Sequence, residues 1–414
     1  MTLSPIFKTR LITTLIVIFP FCKIRVYKMV ESTQEKKQKT LPYLPHELII
    51  QILMRLPVKS LIHFKCVCKL WFSLISDPHF ANSHFQLTTT THTPRIMCIS
   101  SLSHEIRSIG FEAFLNDDDT ASVNLNFSLP ESYFPAEIRG SCRGFILLYR
   151  DPNIYIWNPS TGFKKQIPGS PFRSKLAKLC SIHIHGFGYD QVRDDYLVVV
   201  LSYHITVVST RLKFFSFRDN TWKETEGAPF AYCVIPSRRK GFLFNGAIHW
   251  LALRRDLRWN VIVSFDLMER KLFEMPLPNN VHHSALVHSG LWVFGEYLSV
   301  WAKDNANDTV EIWVMKEYKV HSSWIKSLVL SVEAIPDHYF QPIYSTKNGD
   351  IIGRNMHSTN MSDVIGSNHG TRLVKYNYQG QLLRHHAFCN SPSEVVMYTE
   401  SLLSLPGPGD NKQI

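Results

Sequence analysis

No stretch of this chain stays apolar for the roughly 20 residues that a membrane-spanning helix needs. The nearest approach, residues 11–19 (LITTLIVIF), is followed at once by Pro20 and flanked by Lys8, Arg10, Lys23 and Arg25. No small-residue cleavage site follows it, so it does not make a secretory signal, and no membrane span is expected. Cysteine is sparse. Eight residues spread over 414 with no tight framework fit free thiols in a reducing compartment, cytoplasmic or nuclear, rather than a disulfide-stapled fold. Charge of one sign never gathers into a long run. The net charge of +11 is moderate and its Lys and Arg are scattered, which describes a solvated surface, and no nucleic-acid partner is expected.

Catalytic patterns are missing as well. Gly186-Phe187-Gly188 has no third glycine and no helix behind it, so it lacks the helix N-terminus that a dinucleotide fold uses; Gly188-Tyr189-Asp190 is expected to be a turn between strands. Cys66-x-Cys68 falls in a helical pattern, where residues two apart point in different directions. His183-x-His185 could share a strand face, yet it has no further ligands nearby to complete a zinc set and reads as a strand surface feature. No catalytic residue, metal site or cofactor is expected, and the chain reads as a non-catalytic protein.

What the chain does have is a globular composition, 45% hydrophobic and 12% aromatic, with room for two or three domains. Residues 41–80, LPYLPHELIIQILMRLPVKSLIHFKCVCKLWFSLISDPHF, carry its one clear helical signal. Pro45 stands at a plausible first helical position, and Leu48, Ile52 and Leu56 recur every fourth residue beside Ile49 and Leu53. Pro57 ends that helix. A second follows, with Leu61, Phe64, Cys68, Trp71 and Ile75 spaced by three and four, closed by Asp77-Pro78. Two short amphipathic helices therefore meet at a proline corner, in a unit close to the lower size limit for folding alone.

From residue 95 the character changes to short runs rich in Val, Ile, Phe, Tyr and Trp, punctuated by Gly, Pro, Asn and Asp. These runs repeat: NIYIWNPSTGFKKQIP, LKFFSFRDNTWKET and VIVSFDLMERKLFEMPLP, then looser copies from Val310 and Arg372 and a degenerate first copy from Arg95. Their central residues Trp157, Phe215, Phe265, Trp313 and Tyr376 are 58, 50, 48 and 63 positions apart, a period that suits one four-stranded propeller blade each. Counting hairpins gives about six blades, with five or seven as alternatives and a β-sandwich as the other arrangement. The predicted fold class is α+β and multi-domain: a small helical segment followed by an all-β, propeller-like domain.

Two of these regions resemble known families. Residues 41–80 strongly resemble the F-box, the motif that docks proteins onto the Skp-type adaptor of cullin ubiquitin ligases, through the Leu44-Pro45 opening, the Leu56-Pro57 corner, Val67-Cys68 and Trp71. RGSCRGFILLYRDPNIYIWNP from Arg139, GFGYDQVRDDYLVVV from Gly186, GFLFNGAIHWLA from Gly241, EIWVMKEY from Glu311 and YTESLLSL from Tyr398 are similar to the F-box-associated domain of plant F-box proteins, often labelled F-box/kelch-repeat. Kelch repeats carry a paired glycine, and no Gly-Gly occurs here.

The resemblance implies a substrate-recognition subunit of a Skp-cullin-F-box ubiquitin ligase, with a Skp-type adaptor, a cullin reached through it, and a protein substrate as partners. It implies that Leu44, Pro45, Leu48, Ile52, Pro57, Leu61, Val67 and Trp71 hold the F-box fold or meet the adaptor. The alternative is a propeller-type binding module acting outside ubiquitination, on an anionic partner. For substrate contact, the Arg- and Trp-bearing loops stand out: Arg238 and Arg239, with Lys240, before one strand, and Arg254, Arg255, Arg258 and Trp259 between two others. The expected boundaries are a disordered or non-native extension over 1–40, with translation starting at Met29 or residues 1–28 associating weakly with membranes, the F-box over 41–84, a linker over 85–94, the β domain over 95–405 and a disordered tail over 406–414.

Overall fold

The computed structural model describes residues 45–88, 94–100, 105–115, 122–125, 127, 136–169, 181–225, 228, 230–233, 240–281, 289–304, 307, 309–331, 338–346, 348–357, 372–386 and 392–407. The N-terminal extension, Leu44 and residues 408–414 of the tail lie outside them. The chain divides into two compact units. The helices up to Thr88, with Ser401–Ser404, make the first, and the strands make the second.

The helical unit opens with α1 (His46–Leu53). Pro45 is its cap, in an extended conformation with φ −53° and ψ 145°, rather than its first helical residue. Behind the Pro57 corner comes α2 (Val58–Phe64). The single helix expected over Leu61 to Ile75 is two, because Cys68 is fully extended at φ −157° and ψ 166° and α3 (Lys69–Ser76) starts afresh behind it. Cys66 and Cys68 therefore sit in and beside a turn, not on a helix. Asp77-Pro78 both stops α3 and starts α4 (Pro78–Thr88): the Asp77 carboxylate accepts the Phe80 N–H at 2.9 Å, and Pro78 fills the first helical position, where its missing N–H costs nothing.

α4 runs four residues into the stretch expected as linker. Its threonine hydroxyl is the reason: Thr88 is buried and donates to the His84 carbonyl at 2.8 Å, so the polar group is satisfied inside the helix. Leu53, Val58, Leu61, Trp71, Ile75 and Phe80 form the core of this unit, with the Phe64 and Trp71 rings 5.3 Å apart. His84, fully buried, donates from Nε2 to the Leu56 carbonyl at 2.8 Å. It thereby satisfies an acceptor that the break at Pro57 leaves without a helical partner.

In the second unit the strands run β1 (Arg95–Ser100), β2 (Ile106–Gly110), then α5 (Phe111–Leu115) and β3 (Val123–Asn124). A four-stranded sheet follows from β4 (Glu137–Cys142), β5 (Phe145–Arg150), β6 (Asn153–Trp157) and β7 (Lys164–Ile167), and another from β8 (Ser181–Asp190), β9 (Asp195–His204), β10 (Ser209–Ser216) and β11 (Thr221–Glu224). The next sheet has β12 (Tyr232–Cys233) and β13 (Phe242–Phe244) both paired to β14 (Ala247–Arg254), then β15 (Trp259–Asp266) and β16 (Leu272–Pro276). Two more contain β17 (Ser289–Phe294), β18 (Tyr297–Asp304), β19 (Thr309–Met315) and β20 (Trp324–Ser331), then β21 (His338–Ser345), β22 (Ile351–His357), β23 (Arg372–Tyr376) and β24 (Leu382–His386). The last strand, β25 (Pro392–Tyr398), pairs with β1, so the chain's final strand completes the sheet that its first strands begin.

Among the described residues these make six antiparallel sheets, and their innermost strands β4, β8, β13, β17, β21 and β25 touch in sequence and back to β4. The result is a closed six-bladed propeller. Closure follows from burial on both faces of a blade: Ile96 and Cys98 of β1 pack toward Ile352 and Leu373, whereas Met97 and Ile99 pack toward Ile146 and Trp157 on the other side. Trp157, Phe215, Phe265, Trp313 and Tyr376 each occupy the third strand of their blade, which is why their spacing traced the repeat.

Gly188-Tyr189-Asp190 is the end of β8 and not a turn; the reversal is at residues 191–194. The glycines are there for close packing, since a Cβ on Gly188 would lie 2.6 Å from Leu267 Cδ1.

Candidate functional site

In the helical unit, burial divides the residues that the F-box resemblance brought together. Leu61 and Trp71 are 0% and 4% exposed and belong to the core. Pro45, Leu48, Ile52 and Pro57 are exposed, and Val67 is half-buried. Leu48 and Ile52, four residues apart on α1, share one helix face and leave an apolar pair to water at 42% and 37% exposure. Sequence reasoning missed Leu70 and Phe72 on α3, which flank the buried Trp71 and are more exposed still. The alternation Leu70-Trp71-Phe72 was the available signal: three large apolar neighbours cannot all face one core from a helix.

Of the basic loop residues in the propeller, Arg238 and Arg239 lie outside the described residues. Arg254 and Trp259 close the β14–β15 hairpin as a Cα pair, and Arg255 and Arg258 sit in its turn, Arg258 with a positive φ of 59°. Arg254 is committed internally. Its guanidinium lies 3.3 Å from the Phe230 ring centroid and pairs with Asp256 at 3.0 Å and Glu274 at 2.9 Å. Arg255, Arg258 and Trp259 are exposed.

The neighbouring β9–β10 hairpin carries Ile205, Val207 and Val208, all exposed, and the two tips are joined through β12: the Tyr232 N–H donates to Thr210 Oγ1 at 2.8 Å, and the Arg255 N–H to the Ala231 carbonyl at 3.0 Å. These second-to-third-strand hairpins all lie at the end of the ring opposite Arg95 and Tyr398, where the chain enters and leaves it. The apolar tip residues escaped the sequence reading because residues 205–208, ITVV, look like more strand.

The polar cluster around Asp190 is structural. Asp190 is fully buried, and its carboxylate accepts the N–H groups of Val192 and Arg193, both at 3.1 Å, and the guanidinium groups of Arg193 at 2.9 Å and Arg270 at 3.3 Å. Burial alone would push its proton affinity up, but these donors outweigh it and hold Asp190 below the ordinary carboxylate range. Its neighbour Asp195, where burial wins over the Ser216 and Arg218 donors, stands above it. His185 is buried in β8 rather than on a strand surface, its ring 4.9 Å from that of Tyr149. Among the described residues no group of three His, Cys, Asp or Glu could hold a metal ion, and no helix is long and apolar enough to cross a membrane.

Comparison with known proteins agrees with this geometry. The F-box domain model matches residues 41–82, and the F-box associated beta propeller domain model matches residues 97–405. An F-box/kelch-repeat protein of Arabidopsis thaliana is 30% identical over 310 residues, covering 73% of this chain and 82% of that protein. The Arabidopsis F-box protein CPR1 is 26% identical over 332 residues, 74% of this chain and 78% of that one. Among solved structures, Porphyromonas gingivalis dipeptidyl peptidase 4 aligns with 71% of this chain and 44% of its own at a TM-score of 0.35 and 8% identity, too slight a likeness to argue from. With a helical F-box, a six-bladed ring and a domain model matched across most of its length, this chain belongs to the plant F-box proteins that carry an F-box-associated β-propeller domain.

Proposed function

We propose that the chain is the substrate-recognition subunit of a Skp-cullin-F-box ubiquitin ligase, working in the cytoplasm or nucleus. The F-box docks a Skp-type adaptor through α1, and the propeller holds a protein substrate. Its contribution is proximity: it raises the local concentration of a substrate lysine near the conjugating enzyme and performs no chemistry itself. The observation that carries this reading is the pair Leu48 and Ile52, an apolar helix face open to water on a unit whose core is already filled by Leu61 and Trp71. Exposed apolar stripes of that kind mark helix-packing interfaces.

For the substrate, the hairpin tips bearing Arg255, Arg258, Trp259 and the apolar residues at 205–208 supply the aromatic and guanidinium contacts that dominate protein interfaces. The test is co-expression of the intact chain with a Skp-type adaptor, followed by size-exclusion chromatography. A stable complex is expected; its absence overturns the proposal. Within that complex, a triple variant Arg255→Ala, Arg258→Ala and Trp259→Ala should keep the adaptor and lose ubiquitin transfer to the captured substrate. Unchanged transfer removes the tips from the substrate site.

A further inference from the structure

The two hairpin tips joined by β12 carry more apolar surface than a turn needs. Ile205, Val207 and Val208 on the β9–β10 tip, Leu257 and Trp259 on the β14–β15 tip and Phe230 between them are all exposed. Folding does not account for them. The corresponding hairpin between β5 and β6 turns through Asp151-Pro152, and residues 305–308 between β18 and β19 read NAND, so the position accepts polar residues. Val207, at 68% exposure, has little left to give the core.

Val208 is exposed too, and its backbone is left-handed at φ 52°. A β-branched side chain is disfavoured there, and turns elsewhere in the ring place Gly162, Asn220 and Asn245 in that conformation. An exposed valine held at a cost to the fold points to a surface with another use.

Charge narrows that use. Arg254 is answered by both oxygens of Asp256, each at 3.0 Å, and by Glu274 at 2.9 Å, so these acids are taken. Arg255 and Arg258 are exposed, and among the described residues neither forms an ion pair. Their backbone is nevertheless fixed: the Arg255 N–H donates to the Ala231 carbonyl at 3.0 Å and the Arg258 N–H to the Arg254 carbonyl at 2.8 Å. Two unanswered guanidinium groups on a held turn, beside an aliphatic and aromatic patch, match a segment that presents carboxylates next to large apolar side chains. A nucleic acid fits less well, because the patch is chiefly aliphatic and offers few stacking faces.

We propose that the β9–β10 and β14–β15 tips bind an extended acidic segment of a protein partner, its apolar side chains on Val207, Val208 and Trp259 and its carboxylates on Arg255 and Arg258. This class of partner rests on the reading of the tips as the substrate face, proposed above.

The test selects phage-displayed random twelve-residue peptides on the immobilised full chain. The selected peptides are then titrated by fluorescence anisotropy against wild type, Arg255→Ala with Arg258→Ala, and Val207→Thr with Val208→Asn, with a twelve-residue oligouridylate as control. They should combine Asp or Glu with Leu, Ile, Phe or Trp. The arginine pair should weaken them at least tenfold and flatten their salt dependence. The valine pair should weaken them at least fivefold while the chain melts no lower than wild type, because asparagine accepts the left-handed backbone. The proposal is overturned if no peptide is selected, if those selected carry no acidic excess, if either folded variant falls short of its loss, or if the oligouridylate binds more tightly. Should one pair fail to fold, the other decides. Peptides without acidic excess that still lose affinity for the tip variants would overturn the acidic class and leave the tips as the substrate face. Failure of the adaptor complex would overturn the ligase reading and leave peptide binding as measured.

Discussion

A double substitution, Leu48→Ala with Ile52→Ala, separates the docking role of α1 from its folding role. Each change removes three carbon atoms. At about 0.8 kcal/mol per buried methylene, full burial of those atoms would be worth about 2.4 kcal/mol a side chain. Leu48 and Ile52 are 42% and 37% exposed, so only that part remains for a partner to cover. The adaptor's share is then about 1 kcal/mol each and about 2 kcal/mol together, or roughly thirtyfold in Kd. The rest of each side chain already packs within the unit, so the variant also melts somewhat lower. Trp71→Ala is the contrast: at 4% exposure its loss falls on the fold, at about 3–5 kcal/mol, enough to unfold a unit this small. Calorimetric titration of the full chain with a Skp-type adaptor, below the melting temperature of the variant and beside circular-dichroism melts, measures both effects. Binding by the double variant within about threefold of wild type would refute the assignment of this face to the adaptor.

Asp190→Asn should destabilise the propeller by about 2–3 kcal/mol at neutral pH, because two guanidinium hydrogen bonds lose their charged acceptor. Since the folded carboxyl is held below its ordinary value, its contribution is complete above the unfolded value near 4 and is lost as pH falls through the folded one. The wild-type advantage in urea denaturation should therefore shrink below about pH 4; a gap that widens there would contradict the depressed value. Gly186→Ala places a Cβ 2.6 Å from Trp250 Cζ2, an overpacking that costs about 1–3 kcal/mol, and the thermal midpoint of the β unit should fall. An unchanged midpoint would mean that the contact between these blades yields freely.

How much of this was legible in the sequence depends on the range over which each feature is encoded. Third strands could be found because Trp157, Phe215, Phe265, Trp313 and Tyr376 mark five of the six blades in the same local setting, and counting the hairpins, with the degenerate first copy from Arg95, gave the blade number. The proline corner at Pro57 was legible for the same reason: one residue type imposes one backbone consequence. The division of the expected second helix was not, because Cys68 has no residue-level reason to be extended and α3 begins only when Trp71 finds Phe64 and the core. Likewise the threonine that suggested linker at residue 88 became helix once its hydroxyl found the His84 carbonyl.

The sites fall on the far side of that boundary. Lys240 and Glu394 are 154 positions apart and act on each other because ring closure through β25 and β1 brings the chain's last strand back to its first. Lys240 read as part of a basic loop, yet its backbone bridges to His185 of β8. A propeller is constrained mainly at its blade-to-blade faces, where Ile, Val and aromatic residues must interlock. The innermost strands also line the channel, through residues such as Ser141, Leu243 and Val396. Lys240 at one of those positions costs desolvation, while its backbone, bridged to His185 of β8, joins two neighbouring blades.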